Sequence, residues 1–213
     1  MALTLGMPGT SRTAQPPASD EIISRAMTAT PDAVRGKGLF QRRCTRCHGQ
    51  QAWGAAVEKI PALAGQGEFY LVSQLADFLT RDRIGSTMHR AASAPDVADP
   101  RAMRDIASYL SAAPVVKDPG HGDGFALETG KRFFETHCAM CHGKHAEGRE
   151  TEPIPKLAGQ HYPYLLSQLK NFAAGHLNQV EQPVIEFAAG LTPAQQAAIA
   201  DYLSRAEAQP PRN

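Results

Sequence analysis

The feature that most constrains this chain is a five-residue pattern that occurs twice. It reads Cys44-Thr45-Arg46-Cys47-His48 and then Cys138-Ala139-Met140-Cys141-His142, and it uses all four cysteines of the 213-residue sequence. A CxxC pair alone admits a disulfide, a zinc site or a thioredoxin-like redox motif. A histidine directly after each pair instead points to c-type haem attachment. Two thiols three residues apart at a helix end reach the two vinyl groups of one porphyrin. The following imidazole then lies beneath the iron as its proximal ligand. Cys44, Cys47, Cys138 and Cys141 are therefore the expected tethers of two covalent haem c groups, with His48 and His142 on the two irons.

The pattern sits inside a longer repeat. An offset of 94 residues superimposes Gly36-Lys37 on Gly130-Lys131 and Phe40 on Phe134. It also brings Ile60-Pro61 onto Ile154-Pro155, "LAGQ" at 63–66 onto "LAGQ" at 157–160, and Ser73-Gln74-Leu75 onto Ser167-Gln168-Leu169. Towards each lobe's end the offset becomes 93, pairing Tyr109-Leu110-Ser111 with Tyr202-Leu203-Ser204. A unit this long is a repeated domain rather than a solenoid repeat. The expected organisation is a disordered leader or signal remnant over 1–24, one domain over 25–113, a Pro/Gly-rich linker over 114–124, a second domain over 125–207, and a tail over 208–213.

Both lobes read as all-α. Thr30-Pro31-Asp32, Asp99-Pro100 and Thr192-Pro193 are helix starts, the last with Gln195 completing a capping box. "GEFYLVSQLADFL" and "HYPYLLSQLKNFA" space their apolar residues as amphipathic helices do. No stretch alternates as a strand would. A lobe of this size with few aromatic residues buries only a modest core, which a covalently held macrocycle would fill. Pro61 and Pro155 follow their motifs at equal distance. A carbonyl at either position could accept the second N–H of the proximal imidazole.

With "IPKLAGQHYPYLLSQLKNF" following a CxxCHG in duplicate, the chain resembles the dihaem cytochrome c4 family from about residue 30 to 205. That resemblance implies two helical cytochrome c domains, each wrapped around one haem, and electron delivery in the periplasm, usually toward a terminal oxidase. It also implies His/Met ligation of both irons, and places Met88 of "RDRIGSTMHRAASA" on the first. His89 and Met103 are the other donors nearby.

The second lobe departs from the pattern. Its equivalent stretch is "GHLNQVEQPVIEFAAGLTPAQ", and no methionine follows Met140. The family pattern puts Val184 where methionine belongs, and ungapped repeat alignment gives Gln182 or Glu181. His176 is the best substitute for the sixth ligand, and bis-His ligation would lower that haem's potential. His137, His145, His161 and Lys170 are less well placed. An open or water-bound iron beside an apolar Val184 is the remaining option.

The expected function is single-electron transfer between redox proteins, such as a membrane donor and a terminal oxidase or other oxidoreductase. The chain could serve as the electron-transfer subunit of such a complex. The competing reading is a dihaem enzyme with a catalytic, exchangeable second haem acting on peroxide, nitrogen oxides or sulfur anions. A gas-sensing module lacks any visible output domain. A formal charge of +1 gives no argument for nucleic acid. No apolar run approaches the about 20 residues that cross a bilayer, which leaves peripheral membrane association. Arg42, Arg43 and Arg46 near the first motif, against Glu135, Glu147, Glu150 and Glu152 near the second, could steer a partner. Covalent haem attachment implies export to the periplasm. The N-terminus shows no clear signal sequence, so its start is read as truncated or misassigned.

Overall fold

The computed structural model describes residues 18–83, 85–176 and 182–207. The stretches 1–17 and 208–213, to which the leader and tail expectations belong, lie outside the described residues. Among those described, the only β pairing is one antiparallel bridge, Ala55 with Ile60. Everything else regular is helical.

The first lobe comprises α1 (Ser19–Thr28), α2 (Ala33–Arg43), α3 (Thr45–His48), α4 (Glu68–Thr80), α5 (Ser86–Ala92) and α6 (Pro100–Ser111). Helix α1 takes in residues 19–24, which the sequence assigns to the leader. Ile22 and Ala26, four apart on one face, are buried there, and Ser19 Oγ donates to Asp77 Oδ1 at 2.6 Å. Helix α2 begins later than the Thr30-Pro31 signal predicts. Asp32 is its cap, accepting from Val34 N and Arg35 N at 3.0 Å each. The backbone N–H of Asp32 is itself held by the fully buried Asp105 at 2.8 Å, a tertiary contact that selects the cap.

The second lobe repeats the plan with α7 (Leu127–Phe133), a π-helical turn (Phe134–Cys138), α8 (Ala139–His142), α9 (Tyr162–Ala173), α10 (Gln182–Ala189) and α11 (Pro193–Arg205). The capping box at Thr192 and Gln195 forms as expected.

In each lobe the helix that leads into the cysteine motif, α2 or α7, crosses the last helix at a glycine. A Cβ on Gly36 would lie 2.0 Å from the Asp105 carbonyl oxygen, and one on Gly130 would lie 2.0 Å from that of Ala198. These crossings bring Phe40 beside Tyr109 and Phe134 beside Tyr202, with ring centroids 5.6 and 5.8 Å apart. Phe40 and Phe134 are both fully buried. Each crossing anchors the chain directly ahead of its cysteine motif.

The lobes meet through their repeated "LAGQ" segments. Gln160 accepts from Ala62 N and donates to Ala62 O, both at 2.9 Å. Gln66 accepts from Lys156 N at 2.7 Å and donates to Lys156 O at 3.0 Å. Because 62 and 156 differ by the repeat offset, this pairing is a pseudo-twofold. His161 adds a third tie, with Nδ1 2.5 Å from Pro119 O in the linker and Nε2 2.7 Å from Trp53 O in the first lobe.

Candidate functional site

Each cysteine motif occupies one short helical turn at the end of a longer helix. In the first lobe, His48 N bonds Cys44 O at 3.0 Å, and Gly49 closes the turn with φ +74°. That turn leaves Cys44 half-buried, Cys47 exposed and His48 buried. In the second lobe Cys138 is half-buried and Cys141 exposed, with Gly143 at φ +82°. All four thiols are free. Burial, and then the neighbouring Cys47, push the Cys44 thiol up to about 11; burial and Cys141 do the same for Cys138.

The loop that follows orients each histidine. Gly54 N bonds His48 O at 2.9 Å, and Gly54 has φ +73° with no room for a Cβ, which would lie 2.4 Å from Ile60 O. The chain therefore folds back tightly and aims the Pro61 carbonyl at the ring. His48 Nδ1 lies 3.2 Å from Pro61 O. The second copy matches it: Gly148 N bonds His142 O at 2.8 Å, and His142 Nδ1 lies 3.0 Å from Pro155 O. A carbonyl can only accept, so each Nδ1 carries the proton and each Nε2 keeps its lone pair. Burial lowers the pKa of both rings, opposed by the carbonyl bond, and favours the neutral form.

The two stretches that carry the candidate sixth ligands include the short helices α5 and α10. Helix α5 carries Met88, half-buried, directly after Gly85, whose Cα faces the Phe78 ring. The two other donors of this lobe make contacts of their own. His89 Nδ1 lies 2.8 Å from Phe78 O, and Met103 is fully buried in a cluster with Ile22 and Ala76.

The second distal element, α10, carries Gln182, Val184 and Phe187. Val184 is 38% exposed. Gln182 Nε2 donates to Glu186 Oε1 at 3.1 Å. His176 is exposed beyond the end of α9, and its backbone N–H bonds Asn171 O at 3.0 Å. Glu181 lies outside the described residues. His137 stacks on Phe187 of α10 with centroids 4.6 Å apart, and on Phe133 at 6.0 Å. His145 N donates to Glu147 Oε2 at 2.8 Å. Lys170 is exposed on α9. Both ring nitrogens of His161 are taken by backbone carbonyls.

Two features of the site region escape sequence reasoning. His137 contacts the distal helix although it adjoins the first cysteine in sequence. Arg83 reaches from the first lobe to Tyr164 Oη at 3.1 Å and Gln168 Oε1 at 3.2 Å in the second. The "LAGQ" duplication was the available signal for an interface; nothing local signals Arg83.

The cytochrome c family model matches residues 33–114 and again 127–207. Cytochrome c4 of Pseudomonas aeruginosa is 30% identical over 183 residues, covering 82% of this chain and 89% of that protein. The thiosulfate dehydrogenase electron acceptor of Thiomonas intermedia is 29% identical over 177 residues, 80% of this chain and 81% of the relative. The crystal structure of reduced recombinant cytochrome c4 from Pseudomonas stutzeri superposes with a TM-score of 0.72 at 26% identity. It covers 84% of this chain and 100% of that one.

The chain carries two covalently bound haem c groups. The residues present fit that cofactor: each lobe offers two free thiols on one turn and one imidazole whose Nε2 is unengaged. No helix among the described residues is long and apolar enough to cross a membrane.

Proposed function

We propose, from the premise that this chain belongs to the dihaem cytochrome c4 family, that it relays single electrons between redox proteins in the periplasm, through two haems with different axial ligation. The bound iron supplies the one-electron ferric/ferrous couple. In this reading Cys44, Cys47, Cys138 and Cys141 tether the two macrocycles, and the Nε2 atoms of His48 and His142 are the proximal donors. Pro61 and Pro155 hold those rings in one tautomer and raise their basicity. Met88 is the thioether donor of the first lobe, which raises its potential. The second lobe has no methionine to offer, and His176 is the substitute donor we assign.

The observation that carries this reading is the contrast between α5 and α10. The proximal sides of the lobes match atom for atom at the His–Pro contact, whereas α5 presents Met88 and α10 presents Val184. A lowered second potential suits a subunit that passes electrons on within a larger oxidoreductase, and one relative is named as an electron acceptor of thiosulfate dehydrogenase. The oxidase or dehydrogenase partner, and any peripheral association with a membrane, belong to this proposal. Export follows from the attachment chemistry, which needs reduced thiols and haem outside the cytoplasm.

Low-temperature EPR of the oxidised protein tests the ligation. Two low-spin signals, one His/Met and one bis-His, are expected. A thioether on both irons would refute the contrast. A second reading, a dihaem enzyme with an exchangeable second haem, draws on the exposed Val184 and on the position of His176 outside the packed lobe. Carbon monoxide decides between them: a reduced protein that binds none is a carrier only.

A further inference from the structure

His161 is buried, only 4% exposed, and both nitrogens of its ring face acceptors. Nδ1 lies 2.5 Å from Pro119 O in the linker, and Nε2 lies 2.7 Å from Trp53 O in the first lobe. A carbonyl only accepts, so each contact is a hydrogen bond only if the ring supplies the hydrogen. A neutral imidazole carries one N–H and one lone pair, whereas an imidazolium carries two N–H groups. The neutral ring therefore satisfies one carbonyl and sets its lone pair against the other oxygen. His48 and His142 differ in this respect, since each meets a carbonyl at Nδ1 alone.

The ring also closes a strap. Trp53 Nε1 donates to Pro114 O at 2.7 Å, and His161 meets Pro119 O, so both ends of the linker stretch 114–119 are held through carbonyls. The indole N–H is a permanent donor; the second imidazole N–H depends on a proton. The repeat supplies no second copy of this arrangement. The position matching His161 in the first lobe is Gly67, where an added Cβ would lie 3.5 Å from Arg149 O. One side chain therefore joins the linker, the first lobe and the second lobe.

No carboxylate among the described residues lies within 4.0 Å of the ring. The linker brings Lys117, Asp118 and His121 to its side, and the loop after Trp53 brings Glu58 and Lys59. Lys156 precedes it in its own segment, Tyr162 follows it on α9, and α11 contributes Asp201 and Arg205. Asp118 accepts from Gly120 N at 3.2 Å, and Asp201 is taken by Gly122 N, Gly124 N and Arg205. Burial opposes a charge on the ring, and the two carbonyls are what favours one.

We propose that His161 is a proton-dependent tie at the lobe junction, which bonds the linker and the first lobe together when protonated and must release one of them when neutral. An unfolded histidine gives up its proton at about pH 6.5. The tie therefore favours the docked arrangement fully below that value and loses the advantage as pH rises beyond it. The Gln66 and Gln160 amides do not titrate, so the lobes stay joined while the strap loosens. The tie is independent of which donors fill the distal sites of the two irons.

The test is NMR of the reduced, nitrogen-15-labelled holoprotein from about pH 5 to about pH 9. The His161 ring is expected to show two bonded N–H groups in acid and one in alkali. The Tyr162 amide bonds Gly120 O in the linker, and its protection from hydrogen exchange should fall over the same interval. A fall of about tenfold or more, after correction for intrinsic exchange, matches the loss of one charge-assisted bond. His161→Gln should show the lower protection at every pH, with no step. A ring that stays neutral throughout, or doubly protonated throughout, would overturn the proposal, as would a titrating ring with constant Tyr162 protection. Those readings need only the native protein, so they decide the matter even where His161→Gln fails to assemble.

Discussion

Gln66 and Gln160 hold the two lobes together by the same bond pair in opposite directions. Each amide accepts from and donates to one backbone residue of the other lobe, at 2.7 to 3.0 Å. Both side chains are buried. Gln160→Ala therefore leaves the buried N–H and C=O of Ala62 unpaired, at a cost of about 1–3 kcal/mol each, and Gln66→Ala does the same at the half-buried Lys156 for less. Chemical denaturation of the holoprotein should show this loss for either variant. The double variant should resolve two unfolding transitions, one per lobe, if the amides are what couples them.

Gly36 and Gly130 are expected to be intolerant for a different reason. A Cβ at either would meet a backbone carbonyl at 2.0 Å, and backbone cannot rotate aside as a side chain can. Gly36→Ala and Gly130→Ala should force α2 from α6 and α7 from α11, destabilising their lobes by about 1–3 kcal/mol or more. Gly38, one turn face away, meets only the far end of the Arg42 side chain at 3.4 Å. Gly38→Ala should be neutral or slightly stabilising in the same unfolding assay.

That contrast shows where sequence reading reaches and where it stops. The repeat displays Gly36 with Gly130 and Gln66 with Gln160 as matched letters. It cannot say that one pair touches within a lobe and the other across lobes, because both contacts join surfaces distant in sequence. Cysteine–histidine spacing is local chemistry and is fully legible, and so is the capping box at Thr192. The cap at Asp32 moved two residues from Thr30 because Asp105, far along the chain, holds its N–H. Helix α1 was hidden because a short apolar pair, Ile22 and Ala26, carries its burial. Helix α5 was hidden because it opens on Gly85 with no side-chain cap to announce it. Arg83 has no repeat partner, so no pattern draws attention to it.

Two aspartates should titrate with opposite effects on stability. Burial raises the Asp201 carboxyl, but donation from Arg205 Nε at 2.8 Å, Gly124 N at 2.7 Å and Gly122 N at 3.0 Å outweighs it, and the pKa is lowered. A depressed folded value means stability that is full above the unfolded pKa of about 3.9 and fades as pH falls through the folded one. Asp201→Asn should therefore destabilise the protein at pH 7, with the gap closing toward pH 3. Asp77 is raised, chiefly by burial and against the Ser19 hydroxyl. Its contribution is full below the unfolded pKa and is lost as pH rises through the folded value. Asp77→Asn should gain on the native protein at pH 7 and lose that advantage in acid. Melting temperatures across pH 3 to 7 check both signs.

The ligation contrast predicts that the distal helices can be exchanged in character by single substitutions. Met88→Ala removes the donor we assign to the first iron while leaving His89 of α5 still bonded to Phe78 O. The first haem should lose potential, because the thioether that favours the ferrous state is gone, and it should begin to bind carbon monoxide. Met103→Leu should do neither, since Met103 is core between α1, α4 and α6 and a volume-conserving change there costs under about 1.5 kcal/mol. In the second lobe, Val184→Met restores a thioether on α10 at the position the family pattern assigns. Its haem potential should rise toward that of the first, and the bis-His EPR signal should give way to a second His/Met signal. His176→Ala is the complementary variant: with the assigned donor gone, the second haem should become high-spin and bind carbon monoxide when reduced. If its spectrum and potential stay at the native values, His176 is not the ligand. The outcome of Val184→Met then identifies whether the distal face of the second lobe has space for any donor from α10.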